Sequence, residues 1–311
     1  MEESVVRVGL IDVDSHNWPN LCLMKLSAWH KSHGDVVEWW NGFERYDRVY
    51  MSKVFTDEYS ADEFEPANAE EIIKGGTGYG LDNVLPDEVE HSYPDYSLYP
   101  EATRNTAYGF LTRGCPRACG FCIVSQKEGR RSRKVADLSE FWRGQKYIKL
   151  LDPNLLACPQ HMELIEQLTK SGARVDFTQG IDARCITREN AEALVRVKTQ
   201  MMHFAMDRPG GIAAVKRGLE IYADALDRAE KKWRGRPPKV YVLTNFETSH
   251  EQDMERIHAV QSVGFEPYVM IYNKSTAPQI TRDLQRWANN PIIYHAQPDF
   301  KKYRRRACEA I

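Results

Sequence analysis

The stretch Thr112-Arg113-Gly114-Cys115-Pro116-Arg117-Ala118-Cys119-Gly120-Phe121-Cys122 follows a short apolar run, Tyr108-Gly109-Phe110-Leu111, and sets three cysteines at C-x3-C-x2-C spacing. Thiolates are the preferred ligands of iron–sulfur clusters, which usually take four of them. Here three are packed together, and no fourth lies within thirty residues on either side. A cubic cluster on this triad would leave one iron with an open position, and an open position on a metal is where chemistry occurs.

Working outward from the motif, a regular alternation begins at Ala107. Apolar runs at 107–112, 147–152, 174–179, 201–206, 239–245 and 267–272 predict strands. Helical stretches are predicted at 136–143, 159–171, 187–198, 211–232, 249–263 and 278–288. Six βα units in succession predict a partial TIM-like (βα)6 barrel, whose functional residues belong on the loops after the strands. The cysteine motif falls after the first strand. The later strands end in Asp152-Pro153-Asn154, in Gln179 through Arg184 with Asp182 between them, in Asp207-Arg208, in Thr244-Asn245 and in Tyr272-Asn273-Lys274. Polar strand ends reach solvent in any case, but Gln179, Asp182, Arg184 and Asp207 cluster on adjacent strands and point to a lined ligand site.

On the N-terminal side, Val5–Asp12 reads as a buried parallel strand and Pro19 opens a helix through His33. Further strands are expected at 36–40, 46–52 and from Glu70 into the glycine-rich loop Gly75–Gly80. This pattern predicts a small parallel α/β, Rossmann-like domain over residues 1–81. Residues 82–105, rich in Pro, Asp, Glu and Tyr, read as an ordered linker, with the barrel and a C-terminal extension over 106–311. The glycine loop matches neither phosphate-loop signature and suits a tight turn needing positive φ, with a phosphate or flat-cofactor cradle as the other use of its glycines.

The 311 residues carry a formal net charge of −2, which argues against wholesale electrostatic binding to DNA or membrane. No apolar run reaches the roughly 18–20 residues that span a bilayer, and the acidic start Met1-Glu2-Glu3-Ser4 lacks signal-peptide character. A cytoplasmic protein is expected, in which seven cysteines are metal ligands, catalytic groups or core residues.

The cysteine spacing, with Phe121 before the last cysteine and a six-unit βα succession behind it, resembles the radical S-adenosylmethionine (SAM) superfamily from Ala107 onward. The resemblance implies a 4Fe–4S cluster on Cys115, Cys119 and Cys122, with SAM on the fourth iron. One electron, from a reductant such as flavodoxin or ferredoxin, would cleave the sulfonium to a 5′-deoxyadenosyl radical acting on a substrate not named by the sequence. Methylation, sulfur insertion and hydrogen abstraction all stay open. It also implies Phe121 near the adenine and Asp152 or Asn154 at the methionine amino group, where the family's Gly-Gly-Glu is replaced. Gln179, Arg184 and Asp207 would hold the carboxylate or ribose, with Asn245 and the backbone near Ile271 as further contacts. Residues 1–81 look like the cobalamin-binding-like domain of one branch, a branch that often acts on nucleotides or natural products. The cobalt-ligating pattern Asp-x-His-x-x-Gly is only approximated by Asp14-Ser15-His16-Asn17-Trp18-Pro19, so cobalamin is not the expected cofactor.

The competing class is a non-enzymatic Fe–S or zinc protein that binds nucleic acid. Zinc would need a fourth ligand, from His16, His30, His33 or Cys22. Two basic runs, Lys127–Lys134 and Lys301–Arg306, are the features such a protein would use. Cys158 and Cys185 read as buried structural cysteines, with Cys185 also placed to act as a radical or methyl carrier.

Overall fold

A computed structural model describes residues 5–15, 18–231 and 238–303. It is an α/β protein in which the larger sheets are parallel throughout. The first sheet contains β1 (Arg7–Asp12), β2 (Val36–Trp39), β3 (Tyr46–Ser52) and β4 (Ala69–Gly75), in the order β2-β1-β3-β4. Helix α1 (Leu21–Ser32) connects the first two. It starts where the side chain of Asn20 accepts from the Leu23 amide, satisfying an otherwise orphaned helical N–H.

After β4 the glycine loop makes a turn against the chain. A Cβ at Gly76 would fall 2.3 Å from the carbonyl oxygen of Lys53, and one at Gly78 equally close to that of Phe55. These glycines permit backbone to lie on backbone, and Gly76 also needs its positive φ of 93°. The tight-turn alternative accounts for them.

The segment expected to be a linker is packed at several points. Val89 is buried, Lys25 pairs with Glu90 at 3.0 Å, Ser27 donates to Asp95 at 2.7 Å and Tyr99 donates to Asp12 at 2.6 Å. Tyr96 donates to the carbonyl of Phe141 at 2.6 Å.

Seven further parallel strand segments follow in chain order, at the six positions where the sequence predicts strands. One sheet holds β5 (Thr106–Gly109), β6 (Tyr147–Leu150), β7 (Arg174–Phe177) and β8 (Thr199–Met201), each beside its sequence neighbour. A second holds β9 (His203–Ala205), β10 (Lys239–Thr244) and β11 (Glu266–Ile271). The expected strand at 201–206 is thus divided at Met202, with a register irregularity in its pairing with β7. That segment joins the two sheets, helped by an isolated parallel bridge between Ile181 and Phe204. Helices α2 (His161–Ser171), α3 (Arg188–Arg196), α4 (Ile212–Arg228), α5 (His250–Ser262) and α6 (Gln279–Asn289) lie along the chain where the sequence pattern places them. The stretch expected as helix 136–143 is instead a 3₁₀ turn at Leu138–Glu140, capped by Asp137 and Glu140. Among the described residues no helix is long and apolar enough to cross a membrane.

The strand faces differ. Ala107, Ile148, Leu150, Val175, Phe177, Phe204, Val240, Val242 and Val269 belong to the large apolar core shared with the helices. A fully buried aliphatic side chain contributes roughly 1.5–3 kcal/mol, so this face supplies much of the cohesion. Alternate positions on the other face carry Tyr108, Lys149, Asp176, His203, Tyr241 and Tyr268. Among the described residues these strands form two separate sheets rather than a closed barrel, and this second face is polar and aromatic rather than aliphatic.

Candidate functional site

The motif leaves β5 on a short antiparallel ribbon, Thr112–Arg113 against Arg133–Lys134. Glu128 closes the loop from its far side: its carboxylate accepts from the Gly114 amide at 2.9 Å and from Arg113 at 3.0 Å. The Cys115 amide donates to the carbonyl of Gly129 at 3.1 Å. Cys115, Cys119 and Cys122 are free, partly exposed thiols, and all three line one cavity of about 2110 Å³. They do not converge on a point: among the described residues no three His, Cys, Asp or Glu side chains form the shell of a single metal ion. Thiolates of a polynuclear cluster each bind a different iron and stand apart by the width of the cluster, so a shared cavity rather than a shared point is what such a cluster requires.

The strand ends supply the rest of the lining. Asn154 is 2 % exposed; its amide nitrogen lies 3.4 Å from the Cys115 sulfur and 3.1 Å from Asp182 Oδ2. Asp182 is the hub of this region. It also accepts from Arg117 Nε at 2.5 Å and from Arg184 Nε at 2.7 Å. Burial favours the neutral acid, but the two guanidiniums prevail and hold the carboxyl below its usual range. Arg117 lies between the first two cysteines, so the pair with Asp182 fastens the loop to the end of β7. The loop is further backed by α4: a Cβ at Gly218 would fall 1.8 Å from the carbonyl oxygen of Ala183, so only glycine lets the helix press against the turn carrying Asp182 and Arg184. Gln179, Arg184 and Asp207 line the cavity, as does Phe121. The Phe121 ring meets Phe246 edge-on, with centroids 5.4 Å apart. Asp207 accepts from the Leu243 amide at 3.3 Å, and burial pushes its carboxyl up. Burial likewise pushes up the Cys119 thiol, against the opposing pull of Arg208 and Arg184.

The chain matches no protein-family model and no curated protein.

Several expected residues are placed elsewhere. Asp152 is not a lining group. It is 6 % exposed, and its two oxygens accept from the Leu111 amide at 2.9 Å, the Thr112 amide at 2.7 Å and the Thr112 hydroxyl at 2.6 Å. These bonds fix the chain as it turns from β5 into the cysteine loop. Burial pushes its carboxyl up to about 6 against those donors. A carboxyl raised in the folded state stabilises the fold fully below its unfolded pKa and loses that contribution as pH rises through the folded value. Unfolding free energy is therefore expected to carry a component that falls from about pH 4 to past pH 6. Asp152→Asn, which cannot titrate, removes that component in denaturant titrations across this range; an unchanged pH profile would show that Asp152 is not its source.

Asn245 turns away to the neighbouring loop, donating to the carbonyl of Asn273 at 2.9 Å. The imidazole of His30 is engaged at both nitrogens, by Asp35 at 2.6 Å and Tyr50 at 2.9 Å, and His33 bonds the carbonyl of Trp29 at 2.8 Å. Neither joins the thiols. Cys22 is partly buried, and burial pushes its thiol up. Cys158 is buried with its thiol toward Gln160 at 3.2 Å, and Cys185 receives the Arg117 guanidinium at 3.2 Å. In the first basic run Lys134 pairs with Asp137 and Glu163, both at 2.7 Å, and Arg133 donates to the carbonyl of Glu128 at 2.9 Å. That run is partly spent on holding its own loop. His16 and Arg304–Arg306 lie outside the described residues.

Proposed function

We propose that this chain is a radical SAM enzyme: a cobalamin-binding-like α/β unit followed by a partial (βα)6 barrel that carries a site-differentiated 4Fe–4S cluster. One observation supports it above the others. The three thiols sit on the loop after the first of six successive parallel strand positions, and face a cavity shared with the ends of the following strands. Cys115, Cys119 and Cys122 would hold three irons. The cluster so held would supply one-electron reductive cleavage of the SAM sulfonium. The protein's part is binding and exclusion. Asn154 directs an N–H at the Cys115 sulfur, and donors to cluster sulfurs tune the reduction potential. Arg117 and Asp182 hold the loop in place. Arg184 and Gln179 offer donors to a carboxylate, Asp207 offers an acceptor to ribose hydroxyls, and Phe121 with Phe246 presents aromatic surface to an adenine. The test is anaerobic reconstitution with iron and sulfide, reduction by dithionite, addition of SAM and assay for 5′-deoxyadenosine.

A further inference from the structure

The cavity extends well past the cysteine loop. Single small-molecule sites generally occupy roughly 300–1,000 Å³, so about 2110 Å³ leaves space beyond one cofactor. The surplus lies along the polar strand face, where Thr178, His203, Tyr241 and Tyr268 line the wall. Asp176 sits on the same face of β7, between the lining residues Arg174 and Thr178. It pairs across the sheet with Lys149, which itself pairs with Tyr108.

Three buried polar atoms on this face have no hydrogen-bond partner among the described residues: Asp176 Oδ1, Thr178 Oγ1 and His203 Nδ1. Asp176 and His203 are each only 8 % exposed. A buried carboxylate oxygen without a partner is costly, and such atoms in native proteins call for an explanation. Beside them the rings of His203 and Tyr241 stack with centroids 4.8 Å apart, and Tyr241 meets Tyr268 edge-on at 5.6 Å. An orphaned carboxylate oxygen, beside a hydroxyl and an imidazole nitrogen that can each donate or accept, next to an aromatic wall suits a flat molecule with N–H groups on its edge. The surrounding charge narrows the class. Burial pushes the Asp176 carboxyl up against the opposing pull of Lys149, and burial together with Lys239 holds the His203 imidazole neutral, down to about 4. Arg174 and Lys239 also line the cavity. A cationic amine would meet these positive groups; a neutral ring with an anionic substituent would not be opposed.

We infer that the part of the cavity along this strand face binds the substrate as a neutral, planar nitrogen heterocycle whose paired N–H edge, of the kind guanine presents, faces Asp176 beside the His203–Tyr241–Tyr268 wall, with an anionic substituent toward Lys149, Arg174 or Lys239. This rests on the proposed function for calling the ligand a substrate, but not for the binding itself.

The probe is guanosine 5′-monophosphate, titrated calorimetrically into the full chain, with adenosine 5′-monophosphate as the control that lacks the N–H edge. Wild type is expected to bind the guanine nucleotide saturably. Asp176→Asn should weaken that binding by roughly tenfold to a hundredfold, the range for one two-bond base contact, and leave the adenine nucleotide unaffected. The same substitution should raise the ligand-free melting temperature by a few degrees, because it removes an unpaired buried charge; a purely structural Asp176 would lower it. No saturable binding of the guanine nucleotide by wild type, or equal responses of the two nucleotides to Asp176→Asn, would overturn the inference. Cluster loading and SAM cleavage without nucleotide binding would sink this inference alone. Nucleotide binding without SAM cleavage by the loaded protein would instead sink the proposed function alone.

Discussion

Changing any one of Cys115, Cys119 and Cys122 to alanine is expected to abolish assembly of the iron–sulfur cluster, whereas Cys158→Ala leaves it intact. Iron and acid-labile sulfide per chain after anaerobic reconstitution, with the visible charge-transfer absorption, measure this directly. Losing one of three thiolates leaves a cubic cluster with two protein ligands and two open irons. Among the described residues neither remaining thiol near the site is free to replace the missing sulfur. Cys185 is tied to Arg117 at 3.2 Å, and Cys158 is 1 % exposed with its thiol toward Gln160. The loop itself should survive each change, because its order comes from backbone bonds to Glu128 and Gly129 and from the Arg117–Asp182 pair rather than from the thiols. Loss of the cluster would thus be read in a folded protein. If Cys158→Ala also lost it, a fourth protein ligand would be present and the open iron would disappear from the account.

The largest effect on stability is expected at Arg256. Its guanidinium is fully buried on α5 and donates to the carbonyl oxygens of Met206 at 3.1 Å, Asp207 at 2.8 Å and Leu243 at 2.7 Å, and also to the carboxylate of Asp253. One side chain thereby ties the ends of β9 and β10 to the helix behind them. Burial lowers its pKa and raises that of Asp253, the mark of two charges withdrawn from water that depend on each other. Arg256→Met removes a donor from three strand-end carbonyls and leaves Asp253 without its cation, and breaking a buried pair in this way costs about 3–5 kcal/mol. The midpoint of chemical unfolding should fall accordingly. Because replacing both members of a buried pair by apolar residues is often far less costly, Arg256→Met with Asp253→Leu should recover part of the loss. A single variant as stable as wild type would show that the guanidinium does not hold these strand ends.

What could be seen in the chain before folding divides along physical lines. Strands and helices after Ala107 were visible because each alternates with the next at regular length, and helix starts such as Thr187 and Ser249 carry their own capping residues. The 3₁₀ turn at Leu138–Glu140 was less visible, since a capping box opens a short turn as readily as a helix. The cysteines and strand-end residues were legible from spacing alone. Arg117 was not, because it occupies a free position of the motif and its partner Asp182 lies 65 residues away. The resemblance implies Asp152 at the methionine amino group, in the place of the family's Gly-Gly-Glu; its two oxygens are instead drawn inward by the amides of Leu111 and Thr112, which no local pattern announces. The lined wall did leave a signal. Over 147–150, 174–176 and 239–242, polar or aromatic residues alternate with aliphatic ones, the mark of a strand with one face off the core.

The central claim is that the three thiols hold a cluster whose fourth iron is reserved for SAM. Its most direct test is the formation of 5′-deoxyadenosine by the fully loaded, dithionite-reduced protein, with and without SAM and in the Cys119→Ala variant. The account predicts 5′-deoxyadenosine and methionine in equal amounts from the loaded wild type, and none from the variant or without reductant. A wild-type protein carrying its full complement of iron and sulfide that leaves SAM uncleaved would contradict it.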